Sequence, residues 1–195
     1  MRTFVLAATL LFSFSSLLAQ QPAKKSLSLG TISDNTYRNF QLGFKYTIVL
    51  GWVDRTSQNR ADADSSSSGK VLLSIFEHPP EVKGENVNPA VVFAAESLSS
   101  FPEVKTAADY FGPLTEASTA QGFKVVNEPY QTILGAKTLV RSDFTKQTGK
   151  VTMYQSSLVM LSQGYAISFT FIGDNEDEVE QLISRLSFAP AGAPR

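Results

Sequence analysis

The sequence has no cysteine, one histidine, His78, and one tryptophan, Trp52. Without cysteine there is no disulfide, no thiolate nucleophile, no thiol redox chemistry and no sulfur ligand for a metal. Charge of either sign is not in excess, with 17 Lys and Arg against 18 Asp and Glu, and the only basic pair is Lys24-Lys25. Nucleic-acid binding needs several grouped cations and is not expected. No Gly-x-Ser-x-Gly elbow, phosphate-cradling glycine loop or dinucleotide fingerprint is found, so no cofactor is called for. Long apolar runs are also missing. The longest lies between Phe4 and Phe14 and falls short of the ~20 apolar residues of a membrane span.

That short run has a specific setting. Arg2 precedes it, serines interrupt it, and Leu17-Leu18-Ala19 leads into the polar Gln20-Gln21-Pro22. A charged start, an apolar middle and a small residue at a polar junction make up a secretory signal. Residues 1–19 are therefore expected to be a signal peptide cut after Ala19, leaving a secreted or periplasmic chain with no transmembrane segment. Lipid attachment through a processed N-terminal cysteine is excluded. Removing Arg2 lowers the cations from 17 to 16 against 18 acids, so the formal charge moves from −1 to −2.

Residues 20–36 are polar and read as a flexible N-terminal segment, residues 37–188 as a single domain, and the Pro- and Gly-containing 189–195 as a disordered tail. Within the domain, Phe44, Tyr46, Ile48 and Leu50 alternate with their neighbours at the period of a half-buried strand. Asp54–Gly69 is almost wholly polar and ends in four serines, which predicts a mobile loop or a long hairpin connection. Strands are predicted at Val71–Glu77 and Ala90–Ser97. A helix follows with Ala107, Tyr110, Phe111, Leu114 and Ala117 on one face, Thr106 as its cap, and a kink or restart at Pro113. Four closely spaced strands come next, at Phe123–Glu128, Ala136–Phe144, Val151–Leu161 and Tyr165–Ile172, linked through Gly135, Gly149 and Gly164. Val179, Leu182, Ile183 and Leu186 form the stripe of a last helix, with Asn175 and Glu178 spaced as a capping box and Phe188 pinning its end. This order predicts an α+β fold, an antiparallel sheet of about seven strands with helices packed on it.

The layout resembles the PsbP-like family, which includes photosystem II extrinsic subunits, Ran-binding nuclear import factors and DcrB-type bacterial envelope proteins. The residues that carry the resemblance are Tyr37-Arg38-Asn39-Phe40 through Gly43-Phe44-Lys45-Tyr46 to Gly51-Trp52, then Gly122-Phe123-Lys124-Val125-Val126-Asn127-Glu128-Pro129, Leu134-Gly135-Ala136-Lys137, Gly164-Tyr165-Ala166-Ile167-Ser168-Phe169 and the helix ending at Phe188. It spans about residues 37–188. Leu50 departs from the pattern, standing where a proline often precedes Gly-Trp. The resemblance implies an α/β/α sandwich and a non-enzymatic accessory or binding role. It brings no shared active-site residues.

Each constellation with chemical potential has a plainer account. Glu77-His78-Pro79-Pro80-Glu81 contains metal-ligand types, but neighbours in a strand point to opposite faces, which leaves His78 an exposed strand-end residue. Asp62-x-Asp64-x-Ser66 begins like a calcium loop, yet Ser67 takes the place of the turn glycine and no closing Glu follows. The acidic run Asp174–Glu180 opens a helix, where carboxylates offset the dipole. No catalytic residue and no metal ligand is assigned. The expected role is an exported, non-enzymatic module that binds an envelope or secreted protein, with Trp52, Asp54 and Arg55 as the contact residues because loops on a rigid scaffold carry recognition. Two alternatives stay open. One is a carrier of a small apolar ligand lined by Phe44, Tyr46, Trp52, Phe76, Phe93, Tyr110 and Phe111. The other is an enzyme resting on carboxylates such as Asp109, Glu116 or Asp143.

Overall fold

The apolar run at Ala90–Ser97 and the alternating small and bulky residues at Tyr165–Gly173 build two neighbouring central strands, paired antiparallel with Phe93 opposite Phe169. The computed structural model describes residues 26–64, 69–81 and 86–189. The expected signal peptide, the pair Lys24-Lys25, Ser65 to Ser68 and the end of the tail lie outside the described residues. Eleven strands and three α-helices occupy the rest: β1 (Thr31–Ser33), β2 (Thr36–Asn39), β3 (Phe44–Thr47), β4 (Val53–Asp54), α1 (Thr56–Asp64), β5 (Gly69–Phe76), β6 (Ala90–Ser97), α2 (Phe111–Ala120), β7 (Lys124–Leu134), β8 (Lys137–Thr148), β9 (Val151–Ser162), β10 (Tyr165–Gly173), α3 (Glu176–Ser184) and β11 (Leu186–Phe188). Seven strands form one antiparallel sheet in the order β4-β5-β6-β10-β9-β8-β7. The class is α+β, as the pattern predicts. At the β9–β10 turn, Gln163 and Gly164 both take positive φ, 52° and 82°, the conformation a two-residue hairpin requires.

A second sheet, β1-β2-β3-β11, lies over one face of the first. Residues 31–33 pair with β2, and Leu27 and Leu29 pack against the main core. Part of the segment expected to be flexible, 20–36, is thus built into the fold. Its short alternation gave little signal, and pairing with the better-patterned β2 supplies the order. Between the sheets the aromatic side chains interlock edge to face: Phe44 on Phe169 at 4.9 Å, Phe93 on Phe169 at 5.0 Å and Tyr46 on Phe93 at 5.2 Å between centroids. Helix α3 closes the same face with Val179, Leu182 and Ile183, and β11 returns Phe188 to pair with Phe44. The Asn175 side chain caps α3 by accepting from the Glu178 amide at 2.8 Å, while the Glu178 carboxylate accepts from the Asp174 amide at 2.7 Å.

The other face carries α2 and the segment before it, with Val104, Tyr110 and Phe111 packed on Val159 and Ala166. The helix begins at Phe111 rather than near Thr106, and Pro113 falls in its first turn, where a missing amide costs little. Thr106 and Asp109 instead cap each other's backbone amides in the preceding turn.

The predicted loop at Asp54–Gly69 is corrected by α1. Its sequence has no apolar stripe, so periodicity could not reveal a helix. What holds it is a set of polar bonds to the outer edge of β5. The Asp54 carboxylate accepts from the Thr56 amide at 2.8 Å, Thr56 Oγ1 accepts from the Ser74 amide at 3.0 Å, and the Arg60 guanidinium donates to the carbonyls of Val71 and Leu72 at 2.8 and 2.7 Å. An edge strand left bare is a template for unwanted pairing, and α1 covers this one. At the far end of the sheet, β7 has β8 as its only strand partner among the described residues.

Candidate functional site

Strand β7 does not run evenly along β8. The register shifts on both sides of Asn127, around Glu128-Pro129, so that Asn127 stands opposite Asp143 and Tyr130 opposite Arg141. Proline has no amide to donate and is tolerated on such an edge. On the other side of β8, Asp143 pairs with Ser156 of β9. The three strands thus bring Asn127, Tyr130, Arg141, Asp143 and Ser156 to one face, and α3 adds Glu180. Together with Glu176, Asp177, Phe144 and Tyr154 these residues line a cleft of about 300 Å³.

Four donors meet the Asp143 carboxylate. Oδ1 accepts from Arg141 Nε at 2.7 Å and Ser156 Oγ at 2.5 Å, and Oδ2 accepts from Tyr130 Oη at 2.9 Å and Asn127 Nδ2 at 3.1 Å. Burial alone would raise its pKa. The bonds from Ser156, Arg141 and Asn127 outweigh burial and hold it below the usual aspartate value. Arg141 also donates from Nη2 to Glu180 at 2.6 Å and to Ser156 Oγ at 3.0 Å, and its guanidinium lies 6.0 Å from the centre of the Tyr130 ring. Burial and the hydrogen bond to Asp143 push the Tyr130 phenol up to about 12. A carboxylate with four donors and a lowered pKa is a poor proton acceptor, and a phenol so raised is a poor donor near neutrality.

Glu176 and Asp177, on the first turn of α3, are exposed and make no side-chain hydrogen bond or ion pair among the described residues. Four carboxylates and one guanidinium therefore border the cleft. Among the described residues no group of three or more carboxylates and imidazoles gathers so as to hold a metal ion.

The residues singled out from sequence fall elsewhere. Trp52 is half-buried against the main core, Asp54 caps α1, and Arg55 donates to Glu81 at 2.7 Å and to Gln58 at 2.7 Å. They share the β4–α1 corner, at the opposite edge of the sheet from β7. His78 is exposed just beyond β5, 3.8 Å from the Glu77 carboxylate. Asp109 accepts from the Lys105 and Thr106 amides, which lower its pKa, and Glu116 is exposed on α2. Asp62 and Asp64 lie in α1, and Ser66 and Ser67 of the calcium-like motif are outside the described residues. The aromatics considered for an apolar pocket divide between two separate cores, Phe44, Tyr46 and Phe93 in one and Tyr110 and Phe111 in the other. Of the cleft residues, the sequence reading had singled out Asp143 as a carboxylate and Glu176, Asp177 and Glu180 only as part of the acidic run that opens a helix. A polar run Arg141-Ser142-Asp143 within a strand was the available signal, since buried charges in strands need partners.

Fold and cleft define an α+β domain with a polar, acid-bordered recess beside an open sheet edge. No family model matches the sequence, and no curated protein does. Among solved structures the chain is similar to a cyanobacterial PsbP, CyanoP of Synechocystis, with 16% identity and a TM-score of 0.48 over 82% of this chain and 98% of that one. PsbP is the family that the residue patterns resemble. A protein of Bacteroides thetaiotaomicron matches at 12% identity and a TM-score of 0.40, over 78% of this chain and 47% of that one. LpqN of Mycobacterium tuberculosis, described as involved in cell envelope biogenesis, matches at 14% identity and a TM-score of 0.38, over 75% and 83%.

Proposed function

We propose that this chain is an exported, non-enzymatic accessory module that works by binding a protein partner. The observation that carries this reading is the unequal treatment of the two sheet edges. Helix α1 covers β5, with side chains bonded to its backbone. Strand β7 is mostly exposed along eleven residues and carries Val126, Tyr130 and Ile133, three of the six large hydrophobic residues exposed among those described. Ile133 is 74% exposed. Apolar side chains grouped on one edge, in a chain that protects its other edge, suit a contact surface.

The test is capture from the native envelope or medium by the full mature chain, run beside a Val126→Asp/Ile133→Asp variant and His78→Ala. The expected result is one partner held by the wild type and His78→Ala and lost by the β7 variant, with all three melting alike. Loss of capture in His78→Ala, or equal capture by the β7 variant, overturns the reading.

A further inference from the structure

We infer that β7 receives an extended, basic strand from the partner, with a lysine or arginine side chain seated in the acid-bordered cleft; this rests on the protein-binding reading above. Two features of different kind meet at β7. The first is backbone: β7 ends the sheet, and although β11 comes near part of it, no described strand hydrogen-bonds to the amides and carbonyls that point away from β8, so a further strand can be added there. Regular pairing with β8 holds Tyr130 to Leu134 in extended form, ready for such addition.

The second feature is charge. Tyr130 and Asn127 belong both to β7 and to the cleft, so the recess opens at the edge itself. Alternate residues of an added strand face this side of the sheet and lie at its rim. Arg141 is already committed to Asp143 and Glu180, which leaves Glu176 and Asp177 as carboxylates without an ion pair among the described residues, on the α3 side. An anionic side chain entering there meets like charge. A cationic one meets two carboxylates, with the rings of Tyr130 and Tyr154 also lining the recess. On the opposite side of β7, Ile133 offers an apolar contact for the intervening residues. The occupant that fits both features is a strand alternating cationic residues with β-formers.

The experiment uses the full mature chain and two end-blocked peptides, one of alternating lysine and threonine, the other of alternating glutamate and threonine. Amide hydrogen exchange along β7 and binding titrations are read at low and high salt. The lysine peptide is expected to slow exchange between Tyr130 and Leu134. Its affinity should fall about five- to tenfold in a Glu176→Gln/Asp177→Asn variant and should weaken as salt screens the pair. Equal binding of the glutamate peptide, binding without slowed exchange on β7, or no loss in the variant each overturns the inference. So does slow exchange on β7 in the peptide-free protein, whether it arises from a second copy or from the chain's own termini. If the peptide arm fails while the Val126→Asp/Ile133→Asp variant still loses the native partner, the strand mode is wrong and the binding role stands.

Discussion

Arg141 and Glu180 meet at 2.6 Å, and this contact ties helix α3 to the strand layer through a guanidinium that also holds Asp143 at 2.7 Å. Both Arg141 and Asp143 side chains are 14% exposed, so their pairing is screened little by solvent. Asp143→Asn should lower stability by about 1.5–3 kcal/mol, the range for hydrogen bonds to a charged group. The pH dependence has a definite sign. Asp143 titrates below its ordinary value of 3.8 when folded, so the unfolded chain takes up the proton first. The stabilisation is complete above that ordinary value and is lost as pH falls through the folded one. Acid melts of the wild type should therefore fall more steeply below about pH 4 than those of Asp143→Asn. Parallel acid limbs for the two proteins would show that the carboxylate contributes nothing through its charge.

The Arg60 guanidinium likewise donates to the carbonyls of Val71, Leu72 and Leu29. Arg60→Met keeps the stem and removes the donors, and should cost about 1.5–3 kcal/mol. It should also raise aggregation on warming, because the β5 edge loses part of its cover. Shortening the chain across Asp54–Gly69 would be harmless in a loop. With α1 present, the deletion should melt at least as low as Ile183→Ala, a core truncation expected to cost about 2–5 kcal/mol. Light scattering and thermal melts read both effects.

What the sequence made legible follows from where burial is apolar. Ala90–Ser97 is a strand as its pattern predicts, and Val179, Leu182 and Ile183 are buried on α3 as their spacing implies, whereas Leu186, expected on the same helical stripe, is buried from strand β11 because the helix ends at Ser184. Helix α1 was missed for the converse reason, since Thr56, Asn59 and Arg60 hold it by hydrogen bonds that leave no hydrophobic period. The cleft was hidden for a third reason. Asn127, Tyr130, Asp143 and Ser156 converge only through strand register and a bulge, and Glu180 arrives from a helix 37 positions after Asp143 in the chain. The irregularity on both sides of Asn127 shifts that register, and no pattern within a single strand marks where such a bulge falls.

Two tyrosines in neighbouring strands should respond to loss of the hydroxyl with opposite signs. Tyr46 is fully buried, and its hydroxyl has no hydrogen-bond partner among the described residues. Tyr46→Phe removes a buried polar group that gains nothing in return and should raise stability by about 1 kcal/mol. Tyr37 is equally buried, but its hydroxyl donates to the Leu29 carbonyl at 3.0 Å and accepts from Asn39 at 3.3 Å. Tyr37→Phe should lower stability by a similar amount. In a chain of this size either change moves the melting temperature by about 2–4 °C, which calorimetry resolves. Shifts of the same sign would contradict the hydrogen-bond account.

The export reading gives a prediction about mass. The native protein, recovered from outside the cytoplasm, should begin at Gln20, with or without cyclisation to pyroglutamate, because Ala19 is the small residue at the polar junction. N-terminal mass analysis decides it. Recovery of a mature form beginning at Met1 would remove the basis for cleavage.

The two ends of the sheet differ in what they offer as contact surfaces. The β4–α1 corner offers Trp52, Asp54 and Arg55, with Leu50 80% exposed two residues before Trp52. Each of the three is already engaged within the domain: Trp52 with the core, Asp54 with the Thr56 amide and Arg55 with Glu81. A group that must leave an internal partner to meet an external one gains less from the exchange. Strand β7 faces no such cost, because Ile133 and Val126 are exposed and its outer backbone is unpaired by any described strand. Ile133→Asp should therefore weaken partner capture by about tenfold or more, as expected for a central apolar contact. Trp52→Ala should act mainly by lowering stability, through lost core packing. Affinities measured well below both melting temperatures separate the effects. If Trp52→Ala abolishes capture in a protein that is still folded while Ile133→Asp binds normally, the contact lies at the corner and β7 is only an exposed edge.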